Sequence, residues 1–354
     1  VADIAELLKD NGHEVETLER TSDGIGRATA ARGLVAGGLD PDDVSAAVRR
    51  MKADVVHAHN VHPLFGWRAL AAARAAGART VLHLHNFRLL CAIGIAYRDG
   101  AQCFRCRASD MHPGIRLRCR GSLPEATVYG FGLHRQLPRL LEHADRLVAV
   151  SRATASRLVE QGIPAERLEV LPNFVRPSER PPADAGDFAL ASGRLVEEKG
   201  FDTAIAAARA AGIPLTIAGT GPDESRLRSI ADQTVTFAGL LPPTQLGELR
   251  RRAAVVLAPS KWDEPCPYSV LDAMADGIPV LASDRGGLPE LIGTQSVLPA
   301  DHLAAWTEAL GALWRDPELR RARGEQALAR VRERFNKDRY LAGLLAVYAP
   351  SVSC

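Results

Sequence analysis

No apolar run in these 354 residues approaches the ~20 that a membrane-spanning helix needs, and no charged-then-apolar leader opens the sequence. A helical membrane span is thereby excluded, and the expected location is the cytoplasm. Net charge is also scarce. The formal balance of +2, from 44 Lys+Arg against 42 Asp+Glu, is too small to argue for a nucleic-acid partner. Lysine is nearly missing, occurring only at positions 9, 52, 199, 261 and 337, so the basic side is almost all arginine. Such a bias reflects coding preference, and it makes a lysine at a chemically useful position stand out. What the chain does have is 46% hydrophobic and 24% charged residues, ordinary for a globular enzyme. Its length exceeds the roughly 250 to 300 residues that one core organises, so two domains are expected.

The pattern along the chain supports that division. Residues 1–11 (VADIAELLKDN) read as an amphipathic helix and 13–18 (HEVETL) as a strand. The sequence therefore opens inside a helix, and a strand ahead of Val1 is expected to be missing from it. From Asp54 the grammar is βαβ: DVVHAH, the alanine-rich helix 67–76, then TVLHLH at 80–85. Residues 91–122 interrupt it with a cysteine- and arginine-rich insert of neither period. A helix through 135–145 follows, then the strand RLVAVS at 146–151, a helix capped by Ser151, and LEVLPNFV at 168–175. The segment 176–187 (RPSERPPADAGD) reads as a linker. Beyond it, FALASGRL, PLTIAGTG, VTFAGLL, AVVLAPS and PVLASD are five apolar strands separated by helices, the signature of a parallel sheet covered on both faces.

The richest chemistry lies in residues 258–280, APSKWDEPCPYSVLDAMADGIPV. A strand ends at Ser260, a proline-punctuated loop follows, and a helix begins near Tyr268 or Ser269. The first amides of such a helix, with its positive end, face outward at the carboxyl edge of the sheet and form an anion site. Glu264 precedes the helix and Asp272 lies about one turn inside it; their carboxylates suit a sugar hydroxyl and a ribose diol, respectively. Two carboxylates around a helix start also answer to charge complementarity worth only ~0.3 to 1 kcal/mol, and Arg194 with Lys199 reads alternatively as a solvated loop pair with Glu197 and Glu198. The lysine's rarity and the two segments together favour function.

These segments carry a resemblance. The acidic residue, seven others, a second acidic residue, then Ala-Met-Ala and Gly-Ile-Pro-Val resemble the donor-site signature of family-4 retaining glycosyltransferases. SGRLVEEKGFD at 192–202 resembles that family's donor-diphosphate segment, which implies Arg194 and Lys199 as the holding cations. LPNFV, AGTGP, FAGLL and SDRGGLPELI follow in the family's order, and DVVHAHN and LHLHNFRLLC are similar to its acceptor-domain strands. The resemblance covers nearly the whole chain.

It implies an α/β fold of GT-B type, with two Rossmann-like doubly wound parallel-sheet domains facing a central cleft. The acceptor-side domain would be 1–175, the linker 176–187, the nucleotide-sugar domain 188–335, and the helix 336–354 would cross back to the first domain. The implied activity is transfer of a sugar from a nucleotide diphosphate sugar, with retention of configuration, to a polysaccharide, lipid-linked or natural-product acceptor. No metal or other cofactor is required for it, since two cations meet the charge of the departing diphosphate. Glu264 and His85 would be catalytic and face the donor sugar. Arg194, Lys199, Leu240, Cys266, Pro267, Tyr268, Ser269 and Asp272 would bind the donor, with Leu240 near the base.

The sequence departs from the family pattern at Asp272, where glutamate is usual, at Pro265-Cys266-Pro267-Tyr268, and in the missing first strand with its glycine-rich loop. These departures keep a second reading open, a catalytically silent or truncated glycosyltransferase-like partner. A nucleotide-sugar epimerase or phosphorylase on the same fold is a third.

Two further sets stand apart. Cys91, Cys103, Cys106 and Cys119 form C-x11-C-x2-C-x12-C, a spacing that four zinc-binding thiolates or four reduced thiols would both satisfy. Alternation puts His57 and His59 on one face of their strand and His83 and His85 on one face of theirs, so a metal site is geometrically conceivable; with no fixed carboxylate partner, and with His85 given a role by the resemblance, these are read without a metal. Arg105, Arg107, Arg116, Arg118 and Arg120 form a basic loop, solvated or in peripheral contact with the inner face of a membrane.

Overall fold

The apolar runs of the first half build one parallel sheet. In a computed structural model, which describes residues 1–21, 24–178 and 186–350, the elements begin with α1 (Ala2–Asp10), α2 (Arg27–Ala36) and α3 (Asp42–Met51). The strands and helices β1 (Val55–His59), α4 (Gly66–Ala75) and β2 (Arg79–Leu84) come next, then the insert with β3 (Tyr97–Arg98), β4 (Ala101–Gln102) and α5 (His112–Arg116). The half closes with α6 (Leu123–His143), β5 (Arg146–Ala149), α7 (Arg152–Glu160) and β6 (Leu168–Val170). The sheet order is β1-β2-β5-β6, all parallel. Ser151 caps α7 as its sequence position predicts, its hydroxyl accepting from the Thr154 amide. Helix α6 begins twelve residues before 135, because Ser122 caps it and Pro124 sits in its first turn, where a proline costs no hydrogen bond.

The strand expected over 13–18 is not formed: residues 13–20 carry no regular secondary structure. Alternation alone does not make a strand. A ladder needs a neighbour, and β1 is the edge of its sheet with these residues unpaired to it.

The second half supplies β7 (Ala189–Ser192), α8 (Phe201–Ala211), β8 (Leu215–Ala218), α9 (Glu224–Ile230), β9 (Val235–Gly239) and α10 (Pro243–Arg251). It continues with β10 (Val255–Ala258), α11 (Tyr268–Ala275), β11 (Val280–Ser283), α12 (Leu288–Ile292), β12 (Val297–Leu298), α13 (Leu303–Arg315), α14 (Pro317–Arg334) and α15 (Lys337–Tyr348). Six parallel strands lie in the order β12-β11-β10-β7-β8-β9. The sixth, β12, is two residues long, too short for a period to show. The central strands are fully buried, Ala189, Leu190, Ala191, Ile217 and Val255 all at 0% exposure, as a sheet covered on both faces requires. Trp306 anchors the packing of α13 against β7, β8 and α8, each fully buried Leu or Ile there contributing about 1.5 to 3 kcal/mol.

Two compact units result. One holds residues 1–96, 103–171 and the described residues from Leu341 on, and the other holds 97–102 and 172–340. The boundary therefore falls before LPNFV has ended. Asn173 donates its side-chain amide to the Cys266 carbonyl at 2.9 Å, and the Val175 amide donates to the Phe335 carbonyl at 3.0 Å, which ties this segment to the second unit. Residues 179–185 of the expected linker, and Cys354, lie outside the described residues.

Candidate functional site

Numbered from its own first strand, the second unit's sheet runs 3-2-1-4-5-6, and chain direction across it reverses between β7 and β10. In such sheets the loops leaving the two strands at the reversal splay apart at their carboxyl ends, and ligands bind there. The loop after β7 carries Arg194 and the single turn Glu197–Lys199; the loop after β10 carries residues 259–267 and ends in α11. The donor-binding residues expected from sequence thus come from the two loops that the topology singles out.

Close backbone approaches hold these loops. A Cβ on Gly200 would stand 2.0 Å from the Pro259 carbonyl oxygen, so glycine lets the turn after Lys199 lie against the loop after β10. On the other side, Gly287 donates its amide to the Glu264 carbonyl at 2.7 Å and Gly286 its amide to Asp263 Oδ1 at 3.1 Å. Gly286 has φ +57°, and a Cβ there would meet the Glu264 carbonyl oxygen at 2.4 Å. Gly286→Ala is accordingly expected to cost about 2 kcal/mol or more in urea unfolding. Gly212→Ala, at φ +67° with nothing within 4 Å of the added carbon, should cost only the ~1 kcal/mol of the left-handed backbone. Equal losses in the two variants would mean that the 264–286 contact does not constrain the loop.

Glu264 is the centre of the constellation. Its side chain is only 5% exposed, and its Oε1 accepts from both Lys199 Nζ and Ser260 Oγ, the latter at 2.7 Å. A cavity of about 20 Å³ lies beside it, lined among others by Ser192, Lys199, Ser260, Glu264, Pro267 and Ser269. Lys199 sits 5.8 Å from the Trp262 ring centre. Arg194 is the exposed cation of the set, its side chain 65% accessible and 3.4 Å from Glu198. Helix α11 begins at Tyr268 after Pro267, with no side-chain cap. Its opening amides are therefore not closed off by a capping side chain.

The remaining expected residues take distinct places. Asp272 projects from α11 with its carboxylate 40% exposed and 3.5 Å from Arg250, which also donates to Asp276 at 2.7 Å. Leu240 is 78% exposed, unusual for a leucine and fit to meet a flat apolar ligand. Cys266 is buried, which pushes its thiol up to about 12, so it contributes backbone rather than a nucleophilic sulfur. Four residues in contact with this constellation were not singled out from sequence: Ser260, Arg250, Asp276 and Asp263, whose carboxylate also accepts from Gln102 at 2.6 Å.

His85 belongs to the first unit, where it joins a stack of imidazoles. His59 and His83 pair across β1 and β2. His57 Nε2 lies 3.2 Å from His83 Nδ1, and His59 Nδ1 lies 2.8 Å from His85 Nε2. The two pairs stack with 4.3 Å between ring centres, and the Tyr348 hydroxyl closes the row at 2.8 Å from His57 Nδ1. Burial, reinforced by the neighbouring imidazoles, lowers His57 to about 3 and His59 to about 2, and takes His83 well below the ordinary value. Burial lowers His85 to about 4. All four are neutral at pH 7. The donor nitrogens of His57, His59 and His83 come within 4.8 Å of one another, an arrangement that alternation left geometrically conceivable. Parallel register accounts for this, since it sets residue 59 directly beside 83. Cys91, Cys103, Cys106 and Cys119 are all half-buried in the first unit and unpaired by disulfides. No described helix is long and apolar enough to cross a membrane.

Two parallel α/β units, one of them with Rossmann order and an anion-ready switch point, define the GT-B class of transferase folds. Comparison with known proteins agrees: residues 1–179 match the family model described as Glycosyltransferase Family 4, and residues 177–330 match Glycosyl transferases group 1. The chain belongs to Glycosyltransferase Family 4. It is 28% identical to the D-inositol 3-phosphate glycosyltransferase of Acidothermus cellulolyticus, over all of this chain and 85% of that protein. It is 30% identical to the putative colanic acid biosynthesis glycosyltransferase WcaL of Escherichia coli (strain K12), over 58% of each chain. The chain spans about half the length of several curated relatives it matches. In fold it is similar to Anabaena HepE, solved with UDP, at a TM-score of 0.63 and 17% identity, over 86% of this chain and 81% of that one.

Proposed function

We propose that this protein transfers a sugar from a nucleotide diphosphate sugar to a carbohydrate, lipid-linked or natural-product acceptor, with retention of configuration. The observation that carries the reading is the switch-point cluster of Glu264, Lys199 and Ser260, with exposed Arg194 and the uncapped start of α11 beside it. That arrangement suits a diphosphate leaving group. Negative charge grows on the departing oxygen, and Arg194, Lys199 and the amides near Ser269 stabilise it without reorganising. UDP in the related Anabaena structure supports a nucleotide as the occupant.

Each remaining residue has a part. Asp272, steadied by Arg250, accepts hydrogen bonds from the ribose diol, and Leu240 covers the base. Glu264 is assigned binding of the sugar hydroxyls and charge stabilisation, through the carboxylate oxygen that Lys199 and Ser260 leave available. His85 is assigned to the donor sugar by its match to the family's histidine. Being neutral, it serves as a hydrogen-bonding group and not as a cation.

Calorimetric titration with UDP, GDP and TDP tests the proposal in wild type and Arg194→Ala. Arg194 is exposed, so its removal leaves the fold intact. One nucleotide should bind, and the variant should lose about tenfold or more, the worth of a charge-assisted contact. A folded chain that binds none of the three, or an unaffected variant, would overturn the assignment.

A further inference from the structure

We propose that Cys91, Cys103, Cys106 and Cys119 bind one zinc ion that holds the insert of the first unit together. The four residues come from three stretches of the insert, around 91, 103–106 and 119, and backbone contacts bring these stretches together. Gly114 is the meeting point: the Cys119 amide donates to its carbonyl at 3.0 Å, and its own amide donates to the Cys106 sulfur. A Cβ on Gly114 would stand 3.3 Å from that sulfur, so glycine keeps room beside the thiol. Cys103 is one CxxC turn away. Cys91 follows Phe87, accepts its place through a 2.8 Å bond from its amide to the Phe87 carbonyl, and Phe87 packs edge-on against Phe104 inside the CxxC.

An N–H bond to a cysteine sulfur is the kind of outer contact that supports a metal-bound thiolate. The thiols of Cys91, Cys103 and Cys119 are neighbours of the Cys106 thiol. A divalent ion is bound by thiolates, so each of the four thiols gives its proton to solvent on binding. The sulfurs stand wider than in a filled site. Among the described residues, the set whose donor atoms all fall within 4.8 Å is His57, His59 and His83, so zinc would draw the thiols inward by side-chain rotation.

The insert has a reason to need such a tie. Ala96, Ala108 and Arg118 all adopt positive φ without being glycine, at about 1 kcal/mol or more each. Among the described residues, the regular structure of its first-unit part, 91–96 and 103–122, amounts to the five-residue α5. Four thiolates in tetrahedral array with one CxxC are the donor set of structural zinc.

The test uses the untagged full chain. Elemental analysis should find one zinc per molecule. Cobalt substitution should give the thiolate-to-metal charge-transfer absorption of a sulfur site, lost in Cys106→Ser and Cys119→Ser and kept in Cys266→Ser. Where the serine variants fail to fold, wild type alone decides: chelation should lower its melting temperature and added zinc restore it. A folded chain free of metal, cobalt bound without sulfur charge transfer, which would place it on the histidines, or disulfides among the four cysteines in mass spectra would each overturn the proposal.

Discussion

Lowering the pH from 7 to 5 is expected to remove about 5 to 10 kcal/mol of stability from the first unit. The sign follows from the direction of the shifts. His57, His59, His62 and His85 are lowered from 6.5 to about 3, 2, 4 and 4, and His83 is lowered further than the ordinary range, in every case first by burial. Below pH 6.5 the unfolded chain takes up protons at these positions while the folded chain does not, so stability is present above 6.5 and is lost as pH falls toward 4. Each histidine contributes at most ~1.4 kcal/mol per pH unit, hence about 1 to 2 kcal/mol at pH 5. Against a total of roughly 5 to 15 kcal/mol for a domain, the sum is large. Melting temperature measured from pH 8 to 5 should fall steeply below 6.5, and His83→Leu should reduce the slope by about one proton. A flat profile down to pH 5 would show that the stack accepts protons without unfolding.

The same stack shows what sequence reveals and what it withholds. Alternation put each histidine pair on one face of a strand, but the distance between pairs depends on the register of β1 with β2, which no local pattern encodes. The candidate site divides similarly. Glu264, Asp272, Arg194 and Lys199 were legible because a strand end, a proline loop and a helix start are written in contiguous residues, and the order of segments matched a known family. Their partners were not. Lys199 and Glu264 lie 65 residues apart, and Arg250 lies 22 residues before Asp272 in a run of three arginines that nothing locally distinguishes. Gln102 reaches Asp263 from 161 residues away, out of the irregular insert. The strand expected at 13–18 failed for the converse reason: its residues alternate, yet pairing is a property of the neighbour.

Lys199→Met should destabilise the second unit by about 3 kcal/mol, lowering its melting temperature by roughly 6 to 12 °C. Lys199 is 24% exposed at its side chain but Glu264 only 5%, so the substitution leaves a carboxylate inside the protein with, among the described residues, Ser260 as its remaining side-chain hydrogen-bond partner. The cost comes from the orphaned charge, not from loss of the attraction itself. Adding Glu264→Leu, which removes that charge and fills similar volume, should return most of the lost stability, because replacing both members of a buried pair is often neutral or stabilising. The two substitutions will then be strongly non-additive in a double-mutant cycle. Additive losses, or a loss below about 1 kcal/mol for Lys199→Met, would show that water reaches Glu264 and that the pair is worth no more than a surface ion pair. A double variant as stable as wild type that no longer binds nucleotide would carry a further meaning. The pair would then be costly to keep for the fold alone, and its retention in a chain with only five lysines would follow from the charge it presents to a ligand.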